Sequence, residues 1–114
     1  MFGLGKSRKN DIKPSDAHEL MNNLSELEFV ILDVRSPGEY SEEHIARAEN
    51  IDYMSKIFKS EIDKRDRNKK YLVYCRSGHR SSDAVKIMIE LGFTDIHNIS
   101  GGINKWKGEG LPIV

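Results

Sequence analysis

The chain has 114 residues, which is enough for one ordinary domain with a single core and too short for two. Apolar residues make up 38% of it, and 18 basic residues balance 18 acidic ones, so the formal net charge is zero. This balance argues against a protein that coats nucleic acid, because such proteins carry a basic excess. The longest strongly apolar run, residues 29–32, is too short to span a membrane. We therefore expect a soluble single-domain protein with no nucleic-acid or membrane partner.

The first half of the chain predicts a helix, a buried strand and a long loop. Residues 1–10, rich in glycine and basic residues, are expected to form a flexible N-terminal lead-in. Residues 29–32 are short, apolar and partly β-branched, which is typical of a buried strand. Residues 34–43 contain a Pro-Gly pair and are predicted to form a turn-rich loop. Before the strand, Ser15 is the predicted N-cap of a helix with apolar residues at helical spacing, namely Ala17, Leu20, Met21 and Leu24.

The second half of the chain predicts strands that alternate with helices. Apolar residues between positions 84 and 91 fall on one helical face, and Gly92 is the expected end of that helix. This alternation indicates an α/β protein with a mainly parallel central sheet flanked by helices. One or two short helices are predicted in residues 53–67, and buried strands are predicted at 71–74 and 96–99. A last short helix is predicted to begin at Gly101-Gly102 and to contain Trp106.

The chain contains one cysteine, Cys75, and four scattered histidines. An intramolecular disulfide, a CxxC redox pair and a cysteine-rich zinc site are therefore excluded. We predict neither a metal site nor a cofactor. The first residues lack the apolar segment of a secretory signal, so we expect a cytoplasmic protein in which the cysteine remains a thiol.

Cys75 lies where chemistry is expected in such a fold. It directly follows the predicted strand 71–74 and precedes a tight loop and a helix, and ligands of open α/β sheets bind beyond the carboxyl ends of strands. The free N–H groups at the start of that helix favour an anion. Gly78 allows the loop to curl, while Arg76 and Arg80 add positive charge. These surroundings favour a nucleophilic thiolate.

A lone cysteine after an apolar strand is usually only a small buried hydrophobic residue. The residues that follow Cys75 argue against that interpretation here. A structural cysteine does not require two arginines, a glycine, a histidine and two serines immediately after it. We therefore interpret residues 75–82 as a loop that holds an anion.

At this point the sequence resembles the rhodanese-like sulfurtransferases, in their single-domain form. The resemblance covers roughly residues 10–114, and we assign residues 11–114 to a rhodanese-like three-layer domain. Three motifs in matching order carry it. Residues 75–81 (CRSGHRS) resemble the active-site loop, and residues 33–40 (DVRSPGEY) with His44-Ile45 and Asn50-Ile51 resemble the upstream signature. The C-terminal signature is matched by Gly101, Gly102, Trp106, Gly110 and Pro112.

The resemblance implies a function for the loop. Cys75 would take a sulfane sulfur from thiosulfate or another small anionic donor, become a persulfide, and pass the sulfur to cyanide or a thiol. The backbone N–H groups of residues 76–80 would hold the charge of the outer sulfur. Arg76 would help to bind the donor, and Arg80 would brace the loop. The residues expected to bind substrate are Arg76, Ser77, Gly78, His79, Arg80 and Ser81.

Four matched residues upstream are expected to support the site: Asp33, Arg35, Glu39 and His44. An Arg–carboxylate pair that ties the loop after the first strand is the favoured interpretation for the first three, against a solvated charge cluster. For His44 we favour an anchoring hydrogen bond over a catalytic role. Trp106 is expected to pack the last helix on the sheet rather than to bind a ligand.

The length of the loop separates two chemistries. Four residues lie between Cys75 and Arg80, whereas cysteine phosphatases of the related fold use a longer loop around phosphate. A phosphatase also needs a general acid, and His79 is the one titratable candidate within the loop. The shorter loop therefore favours a single sulfur atom over a phosphate group.

Three positions depart from the family pattern. Glu43 and Arg47 replace usual glycines, and Asp52 replaces a usual proline. Glycine often occupies positions with positive φ, so the residues at 43 and 47 leave the backbone conformation there unpredicted. All three replacements change the surface that a partner would contact. A basic run at residues 64–70 is interpreted as a solvated face, with a docking patch for an acidic protein donor as the alternative.

Three hypotheses follow. The first is a sulfurtransferase of the thiosulfate type, in which Cys75 lies within an intact short loop. The second is a binding module without catalysis, in which Cys75→Ser would leave partner binding intact. The third is a persulfide relay, in which a sulfur-relay protein supplies the sulfur and thiosulfate turnover is slow.

Overall fold

The computed structural model describes residues 9–114, so most of the predicted lead-in at residues 1–10 lies outside the described residues. Within residues 9–114 five strands alternate with five helices. The strands are β1 (Asp11–Ile12), β2 (Phe29–Asp33), β3 (Glu49–Asn50), β4 (Lys70–Tyr74) and β5 (Ile96–Ile99). The helices are α1 (Pro14–Asn23), α2 (Pro37–Glu42), α3 (Phe58–Asp63), α4 (His79–Glu90) and α5 (Gly102–Gly108).

The strands form one sheet in the order β1-β5-β4-β2-β3, and each pairing of neighbouring strands is parallel. The predicted α/β class with a parallel central sheet is therefore confirmed. β4 lies in the middle, paired over its full length with β2 and also with β5. Since all strands run in the same direction, the loops that follow β2, β4 and β5 meet at one edge of the sheet. Cys75 lies at that edge, directly after β4.

Two apolar cores, one on each face of the sheet, give the three-layer arrangement. Alternate residues of β4 point to opposite faces, as a pleated strand requires. Tyr71 and Val73 pack with α3 and α4, whereas Leu72 and Tyr74 pack with α1 and α5. Cys75 continues the first of these two sets and is buried in the core beneath α4.

Two local predictions about helices are wrong. The predicted loop 34–43 contains α2, which is short but well capped. Ser36 accepts a hydrogen bond from the Glu39 N–H, and the Glu39 side chain accepts one from the Ser36 N–H, which completes a capping box with Pro37 at the first helical position. In α1 the N-cap is Lys13 rather than Ser15, because Pro14 takes the first helical position.

The family departures at positions 43 and 47 have different consequences. Glu43 has φ −169°, an extended conformation that any residue adopts. Arg47 has φ 72° and is the one non-glycine residue with positive φ within residues 9–114. The backbone thus keeps at Arg47 a left-handed turn that normally favours glycine. At the third departure, Asp52 Oδ1 accepts a hydrogen bond of 2.8 Å from the Met54 N–H.

Within residues 9–114, no helix has the length and apolar character needed to cross a membrane.

We predict that Arg47→Gly raises the free energy of unfolding by about 0.5 to 1 kcal/mol, because the left-handed strain exceeds the entropy that glycine adds to the unfolded chain. The ion pair lost with Glu26 is long, at 3.4 Å, and exposed, so it contributes little. Urea unfolding measures the change. Arg47→Ala is the matched control, since it removes the same ion pair and keeps the Cβ atom. Equal effects of alanine and glycine would contradict the strain argument.

Candidate active site

The sulfur of Cys75 lies inside the loop that joins β4 to α4. The residue is 1% exposed, and its Sγ accepts a hydrogen bond of 3.0 Å from the Gly78 N–H. The Ser81 hydroxyl lies 3.3 Å from the same sulfur. The loop therefore closes around the cysteine, with both neighbouring groups in hydrogen-bonding positions.

The curl of the loop depends on Gly78. It has φ 115° and is the N-cap residue of α4, a helix of twelve residues. The first N–H groups of a helix have no partner within it, and they carry its positive dipole end. In this structure these groups belong to His79, Arg80 and Ser81, which directly follow Gly78. The start of α4 can thus stabilise negative charge on sulfur or on an atom bound to it.

The N-terminus of α5 fixes the other side of the loop. The N–H groups of Ile103 and Asn104 donate to the carbonyl oxygens of Cys75 and Arg76, at 2.9 and 3.1 Å. This approach is possible because residue 102 is glycine with φ 61°; a Cβ atom there would come within 3.0 Å of the carbonyl groups of Cys75 and Arg76. From the sequence, the Gly-Gly pair predicted only the start of a helix. Its contact with the cysteine loop is a structural finding.

Arg80 joins the loop to α2. Its two guanidinium nitrogens donate to the two carboxylate oxygens of Glu39, at 2.9 and 3.2 Å. The hydrogen bond from Arg80 lowers the pKa of the Glu39 carboxyl to about 2. The sequence predicted that Arg80 braces the loop and grouped Glu39 with Arg35; the structure assigns Glu39 to Arg80.

A buried ionic network lies at the end of β2. Arg35 donates to both carboxylate oxygens of Asp33, the shortest contact being 2.7 Å, and its guanidinium also donates to the Glu43 carbonyl. Tyr74 donates to Asp33 at 2.7 Å, and burial raises the pKa of its hydroxyl, so it remains a donor. Asn50 donates to the carbonyls of Asp33 and Arg35. The Arg–carboxylate pair was predicted. Asn50 was matched to the upstream signature without a role, and Tyr74 was predicted only as a strand residue.

His44 and Trp106 are held by structural contacts. The His44 ring donates from Nδ1 to the Tyr40 carbonyl at 2.8 Å and stacks on the Tyr40 ring. Trp106 of α5 is fully buried in the core between the sheet and helices α1 and α5. Its indole N–H donates to the Pro112 carbonyl. Both arrangements agree with the anchoring and packing interpretations.

Arg76 and Ser77 are the exposed residues at the mouth of the loop, together with His79. Arg76 lines a cavity of about 150 Å³ whose other walls carry charges of both signs. The family departure Glu43 contributes to this cavity and forms an ion pair with Lys107 across it. A small anion that reaches Arg76 thus meets a surface of mixed charge.

The basic run at residues 64–70 is largely neutralised within the chain. It forms four ion pairs, namely Lys64–Glu61, Arg65–Glu49, Arg67–Asp63 and Lys70–Asp95. These contacts favour the interpretation as an ordinary charged face over a docking patch. Within the described part of the chain, no three His, Cys, Asp or Glu side chains are placed to hold a metal ion.

We predict that Gly102→Ala lowers the free energy of unfolding by at least about 2 kcal/mol, because the new Cβ atom meets backbone carbonyls and the left-handed conformation becomes strained. Urea unfolding measures the loss. Gly108→Ala in the same helix is the matched control, since a Cβ atom there meets nothing within 4 Å and the change should be neutral or slightly stabilising. Equal losses for the two variants would contradict a specific role for Gly102.

We predict that Glu39→Gln lowers the free energy of unfolding at pH 7 by about 1 kcal/mol, the value of a well-oriented but partly exposed ion pair. Glutamine preserves the capping box, so the change isolates the pair with Arg80. The pKa of Glu39 is lower in the folded protein than its ordinary value of 4.5, so the pair stabilises the fold above that value. This contribution is lost as the pH falls from about 4.5 to about 2.

Urea unfolding at pH 7 and in acid compares Glu39→Gln with the wild type. The two proteins should differ at neutral pH and converge as the carboxylate takes up its proton. Glu42→Gln removes one charge from an exposed position of the same helix and should change little at either pH. A difference for Glu39→Gln that persists undiminished in acid would contradict the pairing argument.

Comparison with known proteins supports what the motifs and the fold indicate. The sequence model of the rhodanese-like domain family matches residues 16–109. A thiosulfate sulfurtransferase of Coxiella burnetii is 38% identical over 80 residues, which cover 70% of this chain and 73% of that protein. A sulfurtransferase of Allochromatium vinosum is 38% identical over 101 residues, which cover 87% and 92% of the two chains.

The solved structures lead to the same family. The crystal structure of a rhodanese-related protein from Thermoplasma volcanium superimposes with a TM-score of 0.80 and 33% sequence identity, covering 92% of this chain and 97% of that chain. The family match includes the elements from β2 to α5, and with them Cys75, its loop and Gly102. The chain therefore belongs to the rhodanese-like domain family.

Proposed function

We propose that this protein is a sulfurtransferase that carries a sulfane sulfur as a persulfide on Cys75. The sulfur comes from thiosulfate or from the persulfide of another protein, and it passes to cyanide or to a thiol. Family membership and the relatives named as sulfurtransferases support sulfur transfer in general. The choice of Cys75 as the carrier, and of these donors and acceptors, is our proposal.

One observation carries the proposal: the Cys75 sulfur lies 3.0 Å from the Gly78 N–H, at the N-terminus of α4. An anion at this position is stabilised by preorganised donors, which do not have to reorient when charge develops. Helix N-termini and nearby positive charge both favour the thiolate, which is the nucleophilic form of cysteine. Arg80, whose charge acts on Cys75, adds to this field.

The proposed reaction consists of two displacements. In the first, the Cys75 thiolate attacks the outer sulfur of thiosulfate; a new S–S bond forms, the S–S bond of the donor breaks, and sulfite leaves with the electron pair. In the second, cyanide attacks the outer sulfur of the persulfide; thiocyanate leaves and the thiolate is regenerated. Neither step needs an external oxidant or reductant, and total charge is conserved in both.

The residues of the loop take distinct parts in this scheme. Arg76, exposed at the mouth, attracts the anionic donor and holds its sulfonate end. The N–H groups from residue 76 to residue 80 hold the charge on the transferred sulfur. Arg80 keeps the loop in place through Glu39.

We predict that incubation with thiosulfate adds one sulfur atom to Cys75. Intact-mass spectrometry and peptide mapping detect and locate the adduct, and cyanide should remove it with release of thiocyanate. Cys75→Ser should take up no sulfur. Ser60→Ala, which changes an exposed serine of α3 outside the site, is a control that should load normally.

Two results would change the assignment. If thiosulfate leaves the folded protein unmodified but a persulfidated protein loads Cys75 rapidly, the chain acts as a relay. If neither donor modifies a free Cys75 thiol, sulfur transfer on this residue is wrong and the chain is a binding module.

A further inference from the structure

The Ser81 hydroxyl lies between the Cys75 sulfur and a second polar side chain that the reaction scheme does not use. Ser81 Oγ is 3.3 Å from Cys75 Sγ, 3.3 Å from the Gly78 carbonyl oxygen and 2.6 Å from Asn98 Oδ1. A hydroxyl has one hydrogen to donate. These three acceptors therefore compete for it, and the contact with Asn98 is the shortest.

The Asn98 side chain is held so that its oxygen faces Ser81. Its Nδ2 donates to Asp11 Oδ1 at 3.1 Å, and a carboxylate can only accept. Asp11 on β1 and Asn98 on β5 are also paired in register in the sheet, which fixes their separation. The amide is thus oriented with its NH₂ group toward Asp11 and its carbonyl toward Ser81.

This arrangement is buried at its inner end. Ser81 is 0% exposed and Asn98 is 4% exposed, so water does not supply alternative partners freely. In such surroundings the position of one hydrogen has a large effect on a nearby charge. When Cys75 is a thiol, the Ser81 hydroxyl donates its hydrogen bond to Asn98 Oδ1. The Cys75 sulfur then faces a lone pair of the hydroxyl oxygen. When the sulfur ionises, that hydrogen has to leave Asn98 in order to stabilise it.

We propose that Asn98, oriented by Asp11, is a positioning residue that competes with the Cys75 sulfur for the hydrogen of Ser81 and so restrains the thiolate. The inference deepens the proposed function, on which its catalytic meaning rests. In a persulfide the negative charge lies on the outer sulfur, and Sγ becomes a poor acceptor. The hydrogen then returns to Asn98, so that the competing bond favours the loaded state over the free thiolate.

The measurement is the pH midpoint of Cys75 alkylation by iodoacetamide, which requires no sulfur donor. Asn98→Leu removes the competing acceptor and adds no charge. The Ser81 hydrogen then becomes available to the thiolate, and the midpoint should move to lower pH by about 0.5 to 1 pH unit. Ser81→Ala should move it in the opposite direction. Both variants leave the charged and titratable groups of the neighbouring elements unchanged. These groups are Arg76, His79 and Arg80 on the loop and α4, Glu39 on α2, Asp33 and Arg35 at the end of β2, and Asp11 on β1.

The double variant Asn98→Leu with Ser81→Ala is the decisive control. If Asn98 acts through the hydroxyl, its replacement shifts the midpoint only while Ser81 is present. An Asn98→Leu midpoint that is unchanged or higher than that of the wild type would overturn the proposal, as would an equal shift in the presence and absence of Ser81.

Asp11→Ala provides a second route if Asn98→Leu does not fold, since Asp11 is only partly buried. It frees the Asn98 amide to turn its NH₂ group toward Ser81. Removal of the Asp11 charge also lowers the midpoint directly, but that part remains in a Ser81→Ala background. The contribution of the hydrogen bond is the midpoint shift caused by Asp11→Ala with Ser81 present minus the shift in the Ser81→Ala background. A difference of zero contradicts the proposal. Thiosulfate loading of the same proteins tests sulfur transfer separately. Failure of the Asn98 proposal can therefore be told apart from failure of the proposed sulfur transfer.

Discussion

The site depends on two hydrogen bonds from the start of α5 to the carbonyl oxygens of Cys75 and Arg76. A peptide unit is planar, and its N–H points away from its C=O. Since α5 binds the Cys75 carbonyl, the N–H of Arg76 in the same peptide unit points away from α5. The bond to the Arg76 carbonyl turns the Ser77 N–H in the same direction. The C-terminal glycine signature and the cysteine loop are therefore parts of one arrangement, and Gly102 permits it because no side chain separates the two backbones.

Charge around the sulfur is balanced by two ion pairs with different roles. Arg80 is bound to Glu39, so much of its charge is compensated within hydrogen-bond distance. Arg35 is bound to Asp33, whose carboxylate also receives the Tyr74 hydroxyl and the Arg35 N–H. Such a buried pair fixes geometry more than it adds stability. The donors that remain for an anion are then the N–H groups of the loop and Arg76 at its mouth. In the proposed function, preorganised backbone groups, more than a net positive field, would stabilise the anion.

The sequence predicted the elements that have strong patterns and missed those that have none. β2, β4 and α4 follow from apolar runs and helical spacing, and the loop after β4 follows from its unusual composition. β1 and β3 contain two residues each, too few for a periodic signal, and they form because the sheet provides partners. α2 was detectable, since Ser36 and Glu39 form a capping box, but the Pro-Gly pair indicated a turn. Asn98 could not be identified, because an asparagine on a strand acquires its role only from Asp11 and Ser81 across the sheet.

The two interpretations of Cys75 that the sequence allowed are both part of the proposed mechanism. The residue is a member of the core, packed beneath α4 and 1% exposed, as expected for a small apolar side chain. A sulfur at that depth is a poor target for a large acceptor. A persulfide changes this, because its S–S bond places the outer sulfur about 2 Å beyond Sγ, among the N–H groups of the loop. The buried atom then serves as the anchor and the added atom as the group that reacts. In the proposed cycle, burial would protect the thiol between turnovers, and the short loop would limit the carried group to a single sulfur atom.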